Sequence, residues 1–175
     1  MIFQEQIQKM HNGLWRVPLY QAIKLMPELR SVLLGLSSVC EKSLSDYIVD
    51  VKVHMLMPNQ HPCIPNWHYD NIPRDESGKQ DFSKQVEDKM YLWVSGSPLI
   101  QFKYPIDRTD SYGFIFSQEW IPFTQKDSHR GTASLQHTWR LFIRACPNTI
   151  LTPNPPEKWL RRHSQVYLDS KTFSW

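Results

Sequence analysis

Between residues 47 and 145 the chain is cut into short apolar runs separated by turn-forming residues, and this rhythm restricts the fold more than any other feature of the sequence. The first run, 47–57, reads Tyr-Ile-Val-Asp-Val-Lys-Val-His-Met-Leu-Met. It alternates and is rich in β-branched residues, which suit a pleated strand. Pro58-Asn59-Gln60 and Pro62 break it. Further runs lie at 90–94, 99–104, 112–116 and 119–123, and the strongest is 138–145, Thr-Trp-Arg-Leu-Phe-Ile-Arg-Ala. Short strands at this spacing predict a sandwich or barrel. Thirteen prolines against six glycines agree with a chain that reverses often.

Ahead of the β region, residues 17–39 read as a helical layer. Leu19, Ile23, Met26, Leu29, Leu33 and Leu36 recur at three- and four-residue steps and so share one face. Pro27 is expected to divide the layer into two short helices, because proline lacks the N–H that a helix interior uses. Residues 73–88 are charged, with few apolar side chains, and read as a surface loop. The whole is expected to form one domain: the helical layer 17–39, a β core over 47–146 and a tail over 147–175. At 175 residues there is room for one ordinary domain.

A formal charge of +3 is too small to argue for nucleic acid by itself. Cys40, Cys63 and Cys146 form no C-x-x-C pair and are odd in number, which fits free thiols in a reducing compartment. No segment has the length of a membrane span, and residues 1–6 lack the texture of a secretory leader. A cytoplasmic location without membrane contact is the expectation.

The chemistry is concentrated in His68-Tyr69-Asp70. Residues two apart on a strand point to the same side, so the imidazole and the carboxylate can share one metal ion. A third ligand must come from elsewhere, and two His plus one carboxylate leave open positions for a co-substrate and O₂. Ser128-His129-Arg130-Gly131 precedes the strong run at 138–145, and ten residues separate His129 from Arg140. His137 is a competing third ligand, but it stands too close to Arg144, and His129 is preferred.

In this order and spacing the chain resembles the 2-oxoglutarate/Fe(II)-dependent dioxygenases, whose pattern is H-x-D, a distal His, and an Arg about ten residues later. The resemblance covers roughly residues 47–146. It implies a mainly β fold, the double-stranded β-helix or jelly-roll. It implies His68, Asp70 and His129 as catalytic ligands of Fe(II), with 2-oxoglutarate as co-substrate and O₂ as oxidant. It also implies an arginine, Arg140 or Arg144, that binds the far carboxylate of 2-oxoglutarate through its planar fork of N–H groups. Asn59 and, if its strand faces inward, Lys52 are further candidates to contact that co-substrate.

Trp67, Arg74 and Trp93 are weaker candidates for the substrate pocket. Tyr69 is expected to point away from the metal, and His54 and His61 are not spaced as ligands. Lys158-Trp159-Leu160-Arg161-Arg162-His163 mixes basic and aromatic residues, a combination able to hold a phosphate backbone and stack bases. A solvated helix face anchored by Trp159 is the favoured reading there, so nucleic acid is not the expected partner. The substrate, whether small molecule, protein side chain or nucleobase, is not readable. Two other classes remain open: a cupin-like metalloenzyme that ignores 2-oxoglutarate, and a non-catalytic β-sandwich binding protein.

Overall fold

The computed structural model describes residues 2–106, 109–114, 118–162 and 164–168. Positions 115 and 116 of the expected run 112–116, and His163 of the tail, lie outside them.

The fold is mainly β, built from antiparallel sheets with few helices. Its spine is a pair of ten-residue strands, β2 (Tyr47–Leu56) and β9 (Thr138–Pro147), matched in register from Tyr47 opposite Pro147 to Leu56 opposite Thr138. The two runs with the clearest β-branched and aromatic content thus become the two central strands. Around them form β1 (Gly13–Pro18), β4 (Met90–Ser95) and β7 (Ile121–Phe123), with the short β10 (Leu160–Arg161) at the edge. The six-stranded sheet runs β10-β1-β2-β9-β4-β7. A second sheet of three strands is ordered β6-β5-β8, from β5 (Ile100–Ile106), β6 (Thr109–Phe114) and β8 (His129–Gly131). A two-stranded ladder joins β3 (Gln60–His61) to β11 (Tyr167–Leu168). The pairings nest as in one long folded hairpin: β2 with β9, His68 with His129, β4 with β7 and β5 with β6. Among the described residues the sheets do not close into a barrel.

Side-chain parity divides the large sheet into two faces. Tyr47, Val49, Val51, Tyr91, Trp93, Leu141, Ile143 and Ala145, all odd-numbered, pack with the helices α1 (Gln4–Gln8), α2 (Leu19–Leu25) and α3 (Arg30–Gly35). The even-numbered Ile48, Met90, Leu92, Val94, Phe142 and Cys146 pack instead with Ile100 and Phe102 of β5 and Phe123 of β7. The second face is not purely apolar, because Asp50, His54 and Arg140 are also buried on these strands.

Two features differ from the sequence reading and one agrees with it. Residues 17 and 18, expected to open the helical layer, instead end the strand β1, because Val17 pairs with Val49 and the helical turn begins only after Pro18. Pro27 does divide the helical layer, where a 3-10 turn at Pro27–Leu29 separates α2 from α3. The basic tail is no helix face. A 3-10 turn at Pro156–Lys158 leads into β10, which pairs with β1, while half-buried Trp159 packs against the core and its indole donates to the Asn154 carbonyl at 2.6 Å. The three cysteines are free, and no helix among the described residues is long and apolar enough to cross a membrane.

Leu141 is fully buried between the central strand and the helical layer. Leu141→Ala should lower unfolding stability by about 2–5 kcal/mol through lost apolar burial and an unfilled cavity, read as a shifted denaturant midpoint at unchanged slope.

Candidate metal centre

His68, Asp70 and His129 meet: one potential ligand atom from each lies within 4.8 Å of the other two. Two elements bring them together. His129 opens β8, in the smaller sheet. His68 forms an isolated antiparallel bridge with it, each backbone N–H donating to the other's carbonyl at 3.0 Å. The segment carrying His68 is thus a minimal extra strand on the edge of the smaller sheet. Gly131 allows this close approach, since a Cβ there would stand 2.6 Å from the Cys63 carbonyl oxygen.

Both imidazoles are set for ligation by their own backbone. His68 Nδ1 lies 2.9 Å from the Asn66 carbonyl, and His129 Nδ1 lies 3.1 Å from the Asp127 carbonyl. A carbonyl only accepts, so each Nδ1 must donate, and the neutral ring then carries its lone pair on Nε2. Such outer hydrogen bonds fix the tautomer of metal-binding histidines. His129 Nε2 lies 3.6 Å from Asp70 Oδ2, and the His rings are 4.5 Å apart. Burial lowers the pKa of His68 and so favours the neutral form.

Asp70 is held differently. It lies in an irregular segment, and its Oδ2 accepts from Arg144 Nη1. Arg144 Nη2 bonds Oδ2 of Asp50, which is 2% exposed. Burial alone would raise the Asp70 carboxyl pKa, but the adjacent Arg144 charge outweighs it and holds it well below the usual range. The two carboxylates in turn keep the buried Arg144 firmly charged.

The cluster opens into a cavity of about 360 Å³, which Lys52, Leu92, Phe123, Phe142 and Arg144 help to line. Lys52 is half-buried, with Nζ 5.3 Å from the Phe142 ring centre, and its pKa is lowered by burial and by Arg144. Arg140 is 1% exposed and does not line the cavity. Its Nε donates to the Pro98 carbonyl at 2.8 Å, its guanidinium lies 5.7 Å from the Phe142 ring, and its Nη2 has no partner among the described residues. No ion pair joins a carboxylate to Lys52 or Arg140 among those residues.

The other candidates separate. Tyr69 and Arg74 line the cavity, Tyr69 with its ring edge-on to Phe82. Trp67 stacks with Arg130, 4.6 Å from its ring. Trp93 is on the opposite face, in the helical core, and has no access to the cluster. Asn59 is an exposed turn residue with φ 68°, its N–H bonded to the Ser134 carbonyl. His137 is exposed and outside the cluster, and His61 bonds the Gly131 carbonyl. Arg144 is committed to two carboxylates, which leaves it poorly placed to anchor a ligand. Two residues of consequence carried no signal of their own: Asp50, and Gln125, which donates to the Asn71 carbonyl directly after Asp70 and accepts from the Val86 N–H. No protein-family model, curated protein or solved structure matches the chain.

His54, buried beside these cations, has its pKa lowered to about 3 by burial and by the charges of Arg140 and Lys52. The unfolded chain protonates this ring near 6.5, while the folded protein resists until about pH 3. Its contribution is therefore complete above pH 6.5 and is lost as the pH falls. Between pH 6 and 4 the wild type should lose up to about 1.4 kcal/mol per pH unit more than His54→Leu, measured by urea unfolding at each pH.

Proposed function

We propose that this protein is a mononuclear Fe(II)/2-oxoglutarate-dependent dioxygenase, a hydroxylase or demethylase, on a jelly-roll frame. The carrying observation is the convergence of two tautomer-fixed imidazoles and one carboxylate at the wall of a cavity also lined by Lys52, which has no ion-pair partner among the described residues. Two N ligands and one O ligand suit a non-haem Fe(II) site with positions left open. The nested strand pairings support the frame, since a folded hairpin wound into two sheets is the path of a jelly-roll.

His68, Asp70 and His129 would hold the metal. Fe(II) bound there, with 2-oxoglutarate and O₂, supplies the oxidising chemistry, with decarboxylation to succinate. The chain's own residues bind and orient. Lys52 is the leading anchor for the far carboxylate of the co-substrate. It lies two residues along β2 from Asp50, hence roughly 7 Å from the Asp50–Arg144 level, at about 3.3 Å per residue. Arg140 lies four residues from Arg144, roughly 13 Å away by the same rise, on the far side of Phe142. It adds positive potential at the closed end. Leu92, Ile100, Phe123 and Phe142 give the cavity an apolar wall, which strengthens each charge interaction beside it. Tyr69, Arg74 and Tyr167 are left to face the substrate.

Protein loaded anaerobically with Fe(II) and then given 2-oxoglutarate and O₂ should release succinate even without a substrate. His129→Ala should abolish this. Lys52→Met should raise the KM for 2-oxoglutarate by roughly 10–100-fold, as expected for losing a charge-assisted bond of about 1.5–3 kcal/mol. Neither succinate nor 2-oxoglutarate binding from a metal-loaded protein would point to the cupin-like reading instead.

A further inference from the structure

The three clustered side chains are not equally secured. His68 and His129 are each oriented by a backbone carbonyl two residues upstream. Asp70 has no comparable support: among the described residues its carboxylate has two partners, Arg144 and His129. Whatever orients Asp70 must therefore come largely from Arg144.

Arg144 is itself fixed. It stands on the central strand β9, directly opposite Asp50 on β2, with side-chain exposure of 15% against 2% for Asp50. Asp50 Oδ2 takes Arg144 Nη2, and Asp50 Oδ1 accepts the backbone N–H of Arg16 at 2.9 Å. Arg16 has φ 53°, in the left-handed region that a non-glycine residue rarely adopts, at the bulge where β1 shifts register against β2. That bulge turns a backbone donor onto a carboxylate it would otherwise bypass. The chain of contacts runs from a bulge in the sheet, through Asp50 and the rigid guanidinium fork, to one oxygen of Asp70. A carboxylate has about four lone-pair sites, so a bond to Arg144 on Oδ2 leaves the other oxygen available.

We infer that Arg144, anchored by Asp50, is the positioning residue that holds the Asp70 carboxylate in its ligating orientation, and that this pair sets the strength of the metal site. The inference rests on the metal reading given above. Its sign follows from the charges. Asp50→Asn removes the negative charge that offsets Arg144, which raises the repulsion felt by a divalent cation. It also frees both arms of the fork to compete for Asp70. Both effects weaken metal binding. A pair that merely braced the sheet would leave metal affinity unchanged in the folded double variant, where one charge of each sign is removed.

The test is titration of the whole, metal-free protein with Co(II), followed by its d–d absorption, for the wild type and for Asp50→Asn, Arg144→Lys and the double variant Asp50→Asn/Arg144→Gln. Folding of each is checked by far-ultraviolet circular dichroism. The wild type should bind one equivalent. Asp50→Asn should bind 10–100-fold more weakly, in the range seen when outer partners of metal ligands are removed, with an altered d–d spectrum. Arg144→Lys keeps the charge but not the fork and should recover only part of the wild-type affinity. The double variant, which removes one charge of each sign and so leaves the net charge of the site unchanged, should also bind at least tenfold more weakly. Equal or tighter Co(II) binding by folded Asp50→Asn or by the folded double variant overturns the inference while leaving the metal site intact. Failure of all three variants to fold makes the pair a structural brace and overturns it as well. A wild type that binds no Co(II) removes the metal reading itself, an outcome distinct from the others.

Discussion

Arg144 bridges two carboxylates that belong to different parts of the molecule. Asp50 comes from the middle of the large sheet, and Asp70 from an irregular segment between the two sheets. Neither acid could be buried at low cost without it, because an unpaired carboxylate in a dry interior is strongly disfavoured. The guanidinium would be equally costly alone. The triad therefore stands or falls together, and it ties the central strands of the fold to the segment that carries His68 and Asp70 of the candidate metal cluster. Replacing such a group with well-packed apolar side chains is often neutral or stabilising. Its presence in the core is better explained by what it positions than by what it adds to stability.

The same logic applies along the rest of that face. In the middle of the β2–β9 ladder, between Ile48 with Cys146 at one end and Leu56 with Thr138 at the other, the cross-strand pairs on this side are Asp50 with Arg144, Lys52 with Phe142, and His54 with Arg140. On the opposite side the corresponding positions are Val, Leu, Ile and Ala, and they build an ordinary core against the helices. One sheet thus has a face devoted to cohesion and a face that breaks the rule of an apolar interior. Natural sequences break local rules mainly at functional sites. Phe142 occupies the middle of the polar face, with Lys52 and Arg140 both near its ring, so two cations are spaced apart and drawn toward an aromatic surface instead of toward acids.

Much of this was legible in the sequence, for identifiable reasons. The strands at 47–56, 90–95 and 138–147 are long or strongly apolar, and their period is unambiguous. His68 and Asp70 are two residues apart, so their shared direction follows from strand geometry alone, and His129 is separated from Arg140 by a spacing that carries a family resemblance. β1 was not legible, since Leu14 and Val17 extend the apolar spacing of α2 and the bulge at Arg16 disrupts alternation. Trp93 illustrates a different limit. Alternation says that Trp93 and Leu92 lie on opposite faces, but not which face meets the cluster. Asp50 is the clearest gap: it reads as a polar interruption in a strand, and its partner Arg144 is 94 positions away.

Arg140 and Arg144 show how the two kinds of information combine. They are four residues apart on one strand, so the sequence alone treats them as equivalent forks on one face. Their environments then separate them. Arg144 gives both Nη groups to two acids, with its Nε unpartnered, whereas among the described residues Arg140 has only a carbonyl partner and an unpartnered Nη2, behind an aromatic ring. Lys52, between these levels on the facing strand, lines the cavity together with Arg144 and Arg74, whereas Arg140 does not. A lysine supplies charge without the geometric selectivity of a fork, so under the proposed reading recognition of an anion at this position would depend more on the shape of the cavity than on bidentate pairing. That shape is set by Phe142, Leu92 and Phe123, which the sheet holds as part of its core. Here the packing that stabilises the fold is also the packing that shapes the cavity beside the His-Asp-His cluster.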